Sequence, residues 1–503
     1  MRRINFEVEL PTELPSSLDK LFLGPLHLYD FLVIGIIIFF IVGLWIVGPP
    51  LSYDDFSHMA AAQQIYLLGY IPTWDFWEFA PVGRPEIYPP LVHVIMALIM
   101  KGSGGDVLLA AKVIKVGTYP LLIFCLWWSA RKFVGYKSAF YTVLVLIGSF
   151  TTMTESYTII PASILLAISC ILFWTFTQKK LISSIILLAV ALWIHILFPF
   201  MIIGVLLLFS IIRRDEGYLT FFAKVVGVSL LLYSPWLIHV VPDLHWLSNV
   251  QTPLGLQFPL LAWIIGLPGL LYSVKYYKDN SFIFALLALG LSPLVISYGA
   301  RLWANILIPL SFYAGITITK FVGTRSGRWK KAKIILIIAI AFSALTLAPA
   351  LGSTIEILYY TPNSPPLLNP SAVSYLALWP STRMGSTPVY YDPTGNIDPV
   401  GNTFFYYLAS FWIQANVPLY EPIVVLGGKA GVDSVMMTAF TGRPTTSGDW
   451  LEVMNPLIQP IVLYYTYHNA TVFVVGPPFT SPPTVLPTNL VAQFGPVSIF
   501  ETA

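Results

Sequence analysis

Between Leu51 and Leu91 an otherwise hydrocarbon-rich chain turns polar, gathering Asp54, Asp55, Asp75, Glu78, Arg84 and Glu86. A positioned carboxylate takes a proton from an attacking group. Cations such as Arg84 stabilise charge on a leaving anion. Hard oxygen ligands suit Mg²⁺ or Mn²⁺. Further along stand Lys112, Lys115, Glu155 within Thr151–Tyr157, His195, Asp243, His245 and Arg301. Each also has a bland role. Asp54 and Asp55 can cap the helix expected over Phe56–Leu68. Glu155 can be a solvated turn residue, and His195 a structural histidine. Arg301, Lys112 and Lys115 can snorkel to headgroups. The run Trp74-Asp75-Phe76-Trp77-Glu78-Phe79 suits an interfacial aromatic belt or a surface for stacking on a sugar ring.

The elements that must position these groups are membrane spans. Of 503 residues 56% are hydrophobic and 10% charged, against about 25% charged in a soluble domain. Such a chain cannot cover itself with polar surface, so it is polytopic. A net charge of +3 without a basic run gives no sign of a nucleic-acid partner. Cys125 and Cys170 sit in apolar runs and offer no disulfide framework. Residues 1–29 read as a retained cytoplasmic tail, because Arg2 and Arg3 precede no cleavable apolar core.

The first span is Asp30–Gly48, followed by a large external loop over 49–106. Pro90–Met100 is apolar but about a dozen residues long, short for a crossing, and reads as an interfacial helix. With it outside the count, the basic clusters at 131–137, 179–180, 213–214, 275–278 and 320–333 share the side of Arg2 and Arg3. Spans then follow at 107–130, 137–153, 156–177, a hairpin of 181–194 and 196–212 broken near Pro199, then 218–240, 257–274, 281–298, 303–321 and 334–351. That makes about eleven crossings, with the C-terminus outside. The membrane domain is therefore 30–351. From 352 to 503 long apolar runs stop and short β-rich runs appear, which reads as a small extracytoplasmic α/β domain. Its three basic residues against eight acidic ones fit that side. Asn469-Ala470-Thr471 is an N-glycosylation acceptor pattern there.

An N-terminal span, a loop opening Asp54-Asp55, a helix running to Gly69, an aromatic stretch and a closing Tyr88-Pro89-Pro90-Leu91 together resemble the C-type (GT-C) glycosyltransferase superfamily. Its members include aminoarabinose transferases, protein mannosyltransferases and oligosaccharyltransferase catalytic subunits. The resemblance implies an all-α GT-C-like membrane domain and transfer of a sugar from a polyprenyl-phosphate carrier of dolichyl type. The acceptor would be a protein or glycolipid, and the chain would reside in the plasma membrane. It implies that Asp54 or Asp55 acts on the acceptor nucleophile. Glu155 falls where the oligosaccharyltransferases carry a second acidic motif, so Asp54 and Glu155 could bridge Mg²⁺ or Mn²⁺. Arg301-Leu302 with Pro309 resembles their Arg-Phe…Pro segment, whose arginine faces the carrier phosphate. Lys112 in Ala110-Ala111-Lys112 resembles the basic residue of the aminoarabinose group.

The family's Lys-Pro-Pro-Leu is Tyr88-Pro89-Pro90-Leu91 here, so another cation must meet the phosphate, with Arg84 nearest in sequence. Glu86, Tyr88 and His195 are further site candidates. Oligosaccharyltransferases read their acceptor with Trp-Trp-Asp; this chain has Gly448-Asp449-Trp450, which leaves the acceptor open. Two rivals come from other classes. A transporter would use intramembrane charges and broken helices, but the chain has no repeated halves. A non-catalytic subunit of a surface-glycan assembly would carry the same loop acids as structure.

Overall fold

The computed structural model describes residues 26–47, 51–148, 152, 156, 159–246, 260–298, 300–323, 390–391, 401–426, 430–446, 469–475, 488–494 and 497–502. The expected span 334–351, the boundary at 352, Glu155 and Gly448-Asp449-Trp450 lie outside the described residues.

The first span is helix α1 (Leu28–Val47), whose Leu32, Ile38 and Ile46 are exposed. Apolar side chains left uncovered on a buried helix bundle are what lipid contact requires. A two-residue strand β1 (Leu51–Ser52) leads into α2 (Tyr53–Leu68), and a small hairpin follows from β2 (Trp74–Asp75) and β3 (Arg84–Pro85). The short apolar run forms α3 (Leu91–Gly102), too brief to cross the hydrocarbon.

Next comes α4 (Val107–Val134), its first turn capped by Asp106, which accepts from the Leu109 N–H at 2.9 Å. The bundle continues with α5 (Tyr136–Ile147), α6 (Pro161–Thr177), α7 (Leu181–Ile194), α8 (Phe198–Ile212), α9 (Tyr218–Val240), α10 (Leu260–Lys275), α11 (Ile283–Tyr298) and α12 (Ala300–Gly323). Among the described residues four helices are long and apolar enough to cross alone, and shorter apolar helices pack between them. The protein is therefore a multi-pass membrane protein.

The helices fall where the apolar runs predicted them, with shifts that have local causes. The span expected over 137–153 stops at Ile147, with Gly148 at its C-terminal end. The span expected from 156 starts at Pro161, whose fixed φ suits a first helical position. The hairpin breaks at His195–Leu197 rather than at Pro199, which stands inside the first turn of α8.

Two faces of the bundle can be told apart by their contacts. On one, the buried Asp30 carboxylate accepts from Arg131 Nε at 3.1 Å, Trp127 Nε1 at 3.2 Å and the His27 N–H at 2.9 Å. This ties the start of α1 to the basic corner between α4 and α5. Lys179 donates to the Glu216 carbonyl and Arg213 to the Lys278 carbonyl on that same basic face. The loop from β1 to α3 occupies the other face.

The C-terminal region adds β4 (Tyr390–Tyr391), α13 (Gly401–Asn416), β5 (Ile423–Leu426), α14 (Ala430–Thr441), β6 (Val472–Val475), β7 (Thr488–Phe494) and β8 (Val497–Thr502). A four-stranded sheet runs β5-β6-β8-β7, with β5 and β6 parallel and the other pairs antiparallel. All four residues of β6 are buried, as a central strand covered on both faces demands. The fold is thus a mostly helical membrane domain followed by a small α/β domain.

Candidate active site

The α/β domain is sewn onto the loop. β1 pairs in parallel with β4, Leu51 opposite Tyr390. The segment after α14 lies between the loop and β5. Thr445 donates its N–H to the Trp77 carbonyl at 2.8 Å and accepts from the Ala80 N–H at 2.9 Å. Trp77 Nε1 donates to the Gly442 carbonyl at 2.7 Å. Phe440 of α14 meets Phe56 of α2 edge-on at 5.6 Å. Gly442 sits at φ +66°, and a Cβ there would come within 2.5 Å of Leu67 Cδ1, so this close approach requires glycine. The loop and the domain therefore share one face of the membrane.

Beneath this seam α2 begins with the acidic pair. The helix starts at Tyr53, earlier than the sequence suggested, so Asp54 and Asp55 lie inside its first turn. Asp55 is fully buried and reaches beyond its own helix. Its Oδ1 accepts from the Ile159 N–H at 2.6 Å, just before α6, and its Oδ2 is paired with Lys115 of α4. Lys115 is also fully buried, so it does not snorkel to headgroups. Removing either partner of such a pair leaves an uncompensated charge in low dielectric. Lys112, 3% exposed, holds its Nζ 4.5 Å from the centre of the Trp45 ring, a cation–π contact with the end of α1. Asp54 is placed by its backbone in the same turn that Asp55 fixes.

Arg84, a candidate for an anion, is met inside the loop. Its Nε donates to Glu78 at 3.0 Å, and its NH2 group lies 3.7 Å from Asp75. Asp75 also accepts from Gln64 at 3.0 Å and from the Trp77 N–H at 2.8 Å. Burial nevertheless raises the Asp75 carboxyl from 3.8 to about 6, with Glu86 adding to the rise and Arg84 opposing it. Glu86 is buried and accepts from the Tyr88 N–H at 3.0 Å.

Tyr88 and His195, both candidates from the sequence, meet two histidines that the sequence did not announce, His58 and His93. The Tyr88 ring lies 5.3 Å from His58 of α2, 5.8 Å from His93 of α3 and 5.7 Å from His195. His58 and His93 share a hydrogen bond between Nδ1 and Nε2 at 2.8 Å. Burial, helped by the Arg84 charge, lowers His93 to about 4, so it stays neutral at ordinary pH. His195 Nδ1 accepts from the Leu197 and Phe198 N–H groups at 3.1 and 3.3 Å, satisfying donors at the start of α8. That is the structural reading of His195. His239 of α9 bonds the Glu86 carbonyl through Nε2 at 2.8 Å. His58 follows Asp54 by four residues, the one sequence signal that could have found it.

Arg301 lies in the first turn of α12, and its side chain is outside the described residues. Asn469 is exposed, while the Thr471 hydroxyl donates to Glu421 at 2.5 Å. Among the described residues no three His, Cys, Asp or Glu side chains come together closely enough to hold a metal. The pair named for Mg²⁺ or Mn²⁺, Asp54 and Glu155, has side chains outside those residues.

No protein-family model and no curated protein sequence matches the chain. Solved structures do. ArnT from Cupriavidus metallidurans bound to undecaprenyl phosphate superposes with a TM-score of 0.62 at 12% identity, over 94% of this chain and 97% of that one. An Archaeoglobus fulgidus oligosaccharyltransferase tethered to an acceptor peptide containing the NVT sequon gives 0.58 at 10% identity, over 89% and 69%. AglB from the same organism, in complex with an inhibitory peptide and a dolichol-phosphate, gives 0.54 at 11% identity over the same shares. At these identities the likeness shows the fold: this chain shares that of ArnT and of the archaeal oligosaccharyltransferase.

Proposed function

We propose that this protein moves a sugar from a polyprenyl-phosphate carrier to an acceptor at the membrane face that bears the loop. The observation that carries the proposal is the clamp on α2. Asp55 is committed to Lys115 and the Ile159 amide, which holds the turn containing Asp54 under the seam. Likeness over nearly the full length of an undecaprenyl-phosphate-bound transferase supports the donor class. The two archaeal complexes with peptides support a peptide acceptor. The basic face is cytoplasmic by the distribution of lysine and arginine, so the reaction face is extracytoplasmic.

In this reading Asp54 takes the proton from the acceptor as its oxygen or nitrogen attacks the anomeric carbon. The bond from that carbon to the carrier phosphate breaks, and the phosphate leaves with the electron pair. Arg301 and Lys112 stabilise the charge on that phosphate. Arg84 is not given this role, because Glu78 and Asp75 already meet it. His58 stands one helical turn after Asp54 on α2, with its ring 5.3 Å from that of Tyr88.

The test is transfer in membranes supplied with a labelled polyprenyl-linked sugar. Asp54→Asn should fall by about 10²–10⁴-fold, the range of a positioned general base, with its melting temperature unchanged. Asp55→Asn should lose activity together with stability. Full transfer by both variants would overturn the proposal.

A further inference from the structure

A cavity of about 340 Å³ opens on the basic face, far in the chain from the loop, where α10, α12 and the α4–α5 corner meet. Its size falls at the lower end of small-ligand sites, about 300–1,000 Å³. α10 and α12 touch at its inner wall, where a Cβ on Gly269 would lie 2.5 Å from the Tyr313 carbonyl oxygen. The wall hydroxyls are already bonded: Tyr313 donates to the Ser281 carbonyl at 2.9 Å, and Ser138 to Thr319 at 3.0 Å.

The rim is different. Tyr272 and Tyr276 lie 4.5 Å apart, both exposed, and the Lys320 ammonium stands 3.3 Å from the centre of the Tyr272 ring. Asp279 completes the lining. Lys320 and Asp279 form no ion pair with each other among the described residues; Lys320 is hydrogen-bonded to Tyr272, and Asp279 lies within reach of the Arg213 charge. Snorkelling explains a lysine at a membrane edge, and an interfacial belt explains tyrosines. Both charges are exposed at the mouth of one cavity and open to an incoming ligand. A ligand carrying both charges would complement them. Beside the rim α10 exposes Leu267, Leu271 and Val274, a hydrocarbon strip along which acyl chains can lie.

We propose that this cavity binds a zwitterionic phosphate–ammonium headgroup from the leaflet at the basic face. The phosphate meets Lys320 and the two phenol hydroxyls. A primary ammonium meets Asp279 and donates hydrogen bonds that a trimethylated one cannot.

Delipidated full-length protein is titrated with ethanolamine, choline and glycerol phospholipids of equal chain length, and retained lipid is read by native mass spectrometry. The wild type should hold the ethanolamine lipid in preference to the other two. Lys320→Met should lower its retention by about tenfold, and Lys320→Arg should keep it. Asp279→Asn should erase the preference for ethanolamine over choline. Displacement by soluble glycerophosphoethanolamine would assign the site to the headgroup alone; persistence of the selective lipid complex would assign it to headgroup and chains together. Equal retention of all three lipids by the wild type, or unchanged retention by the Lys320→Met, Asp279→Asn double variant, would refute the proposal. Sugar transfer plays no part in this readout, so the two proposals fail separately.

Discussion

At the scale of single residues, the decisive pair is Asp55 with Lys115, both withdrawn from solvent. A lone Asp55→Leu or Lys115→Met change should destabilise by about 3–5 kcal/mol, because it strands one buried charge. The double change removes both charges and should melt well above either single variant in detergent. Additive losses would show that the two side chains do not act as a pair. Asp75 gives a prediction of the opposite sense. Its carboxyl is raised from 3.8 to about 6, so the folded loop favours the neutral acid. The penalty for charging it is absent below the unfolded value, grows between pH 4 and 6 and is complete above. Asp75→Asn should therefore melt above the wild type at pH 7.5, with the gap closing as pH approaches 4. A gap that widens toward acid pH would contradict the assignment.

Among elements, the seam between the loop and the α/β domain is the joint on which the proposed reaction depends. Gly442→Ala must move Leu67 and strain a left-handed position. Trp77→Phe removes one buried hydrogen bond, worth about 1–3 kcal/mol once its acceptor is left unpaired. Both should speed protease release of the α/β domain and lower transfer, while the membrane bundle melts unchanged. Release at the wild-type rate would show that the seam is not the attachment. Helix positions were legible in sequence because a span is a local property, an apolar run closed by Gly148 or opened by Pro161. The seam was not legible, because it joins residues 365 positions apart, the Trp77 indole to the Gly442 carbonyl, and the acceptor is a backbone group that any sequence carries. The acids and His195 stood out as costly residues in an apolar chain. That Lys115 answers Asp55, or that His58 meets His93, depends on which helices become neighbours. Periodicity does not report that.

For the whole molecule, orientation is the claim most open to measurement. Both native cysteines are 1% exposed and should stay silent toward membrane-impermeant maleimides. Cysteines placed at exposed Thr73 and Asp215 stand on the loop face and the basic face respectively. Intact cells should label Thr73→Cys only, and inverted vesicles Asp215→Cys only. The reverse pattern would turn the protein over and put the reaction face in the cytoplasm.

The clamp on Asp55 also has a consequence in time. Its partners lie 60 and 104 residues further along the chain, Lys115 in one span and the Ile159 amide at the threshold of another. A ribosome delivers the acidic turn first and its anchors much later, so the nascent protein leaves the translocon with this carboxylate still unmoored. Only when α6 has threaded into the bilayer can the turn lock. The turn that holds Asp54 is therefore set late in biogenesis, after both anchors have arrived.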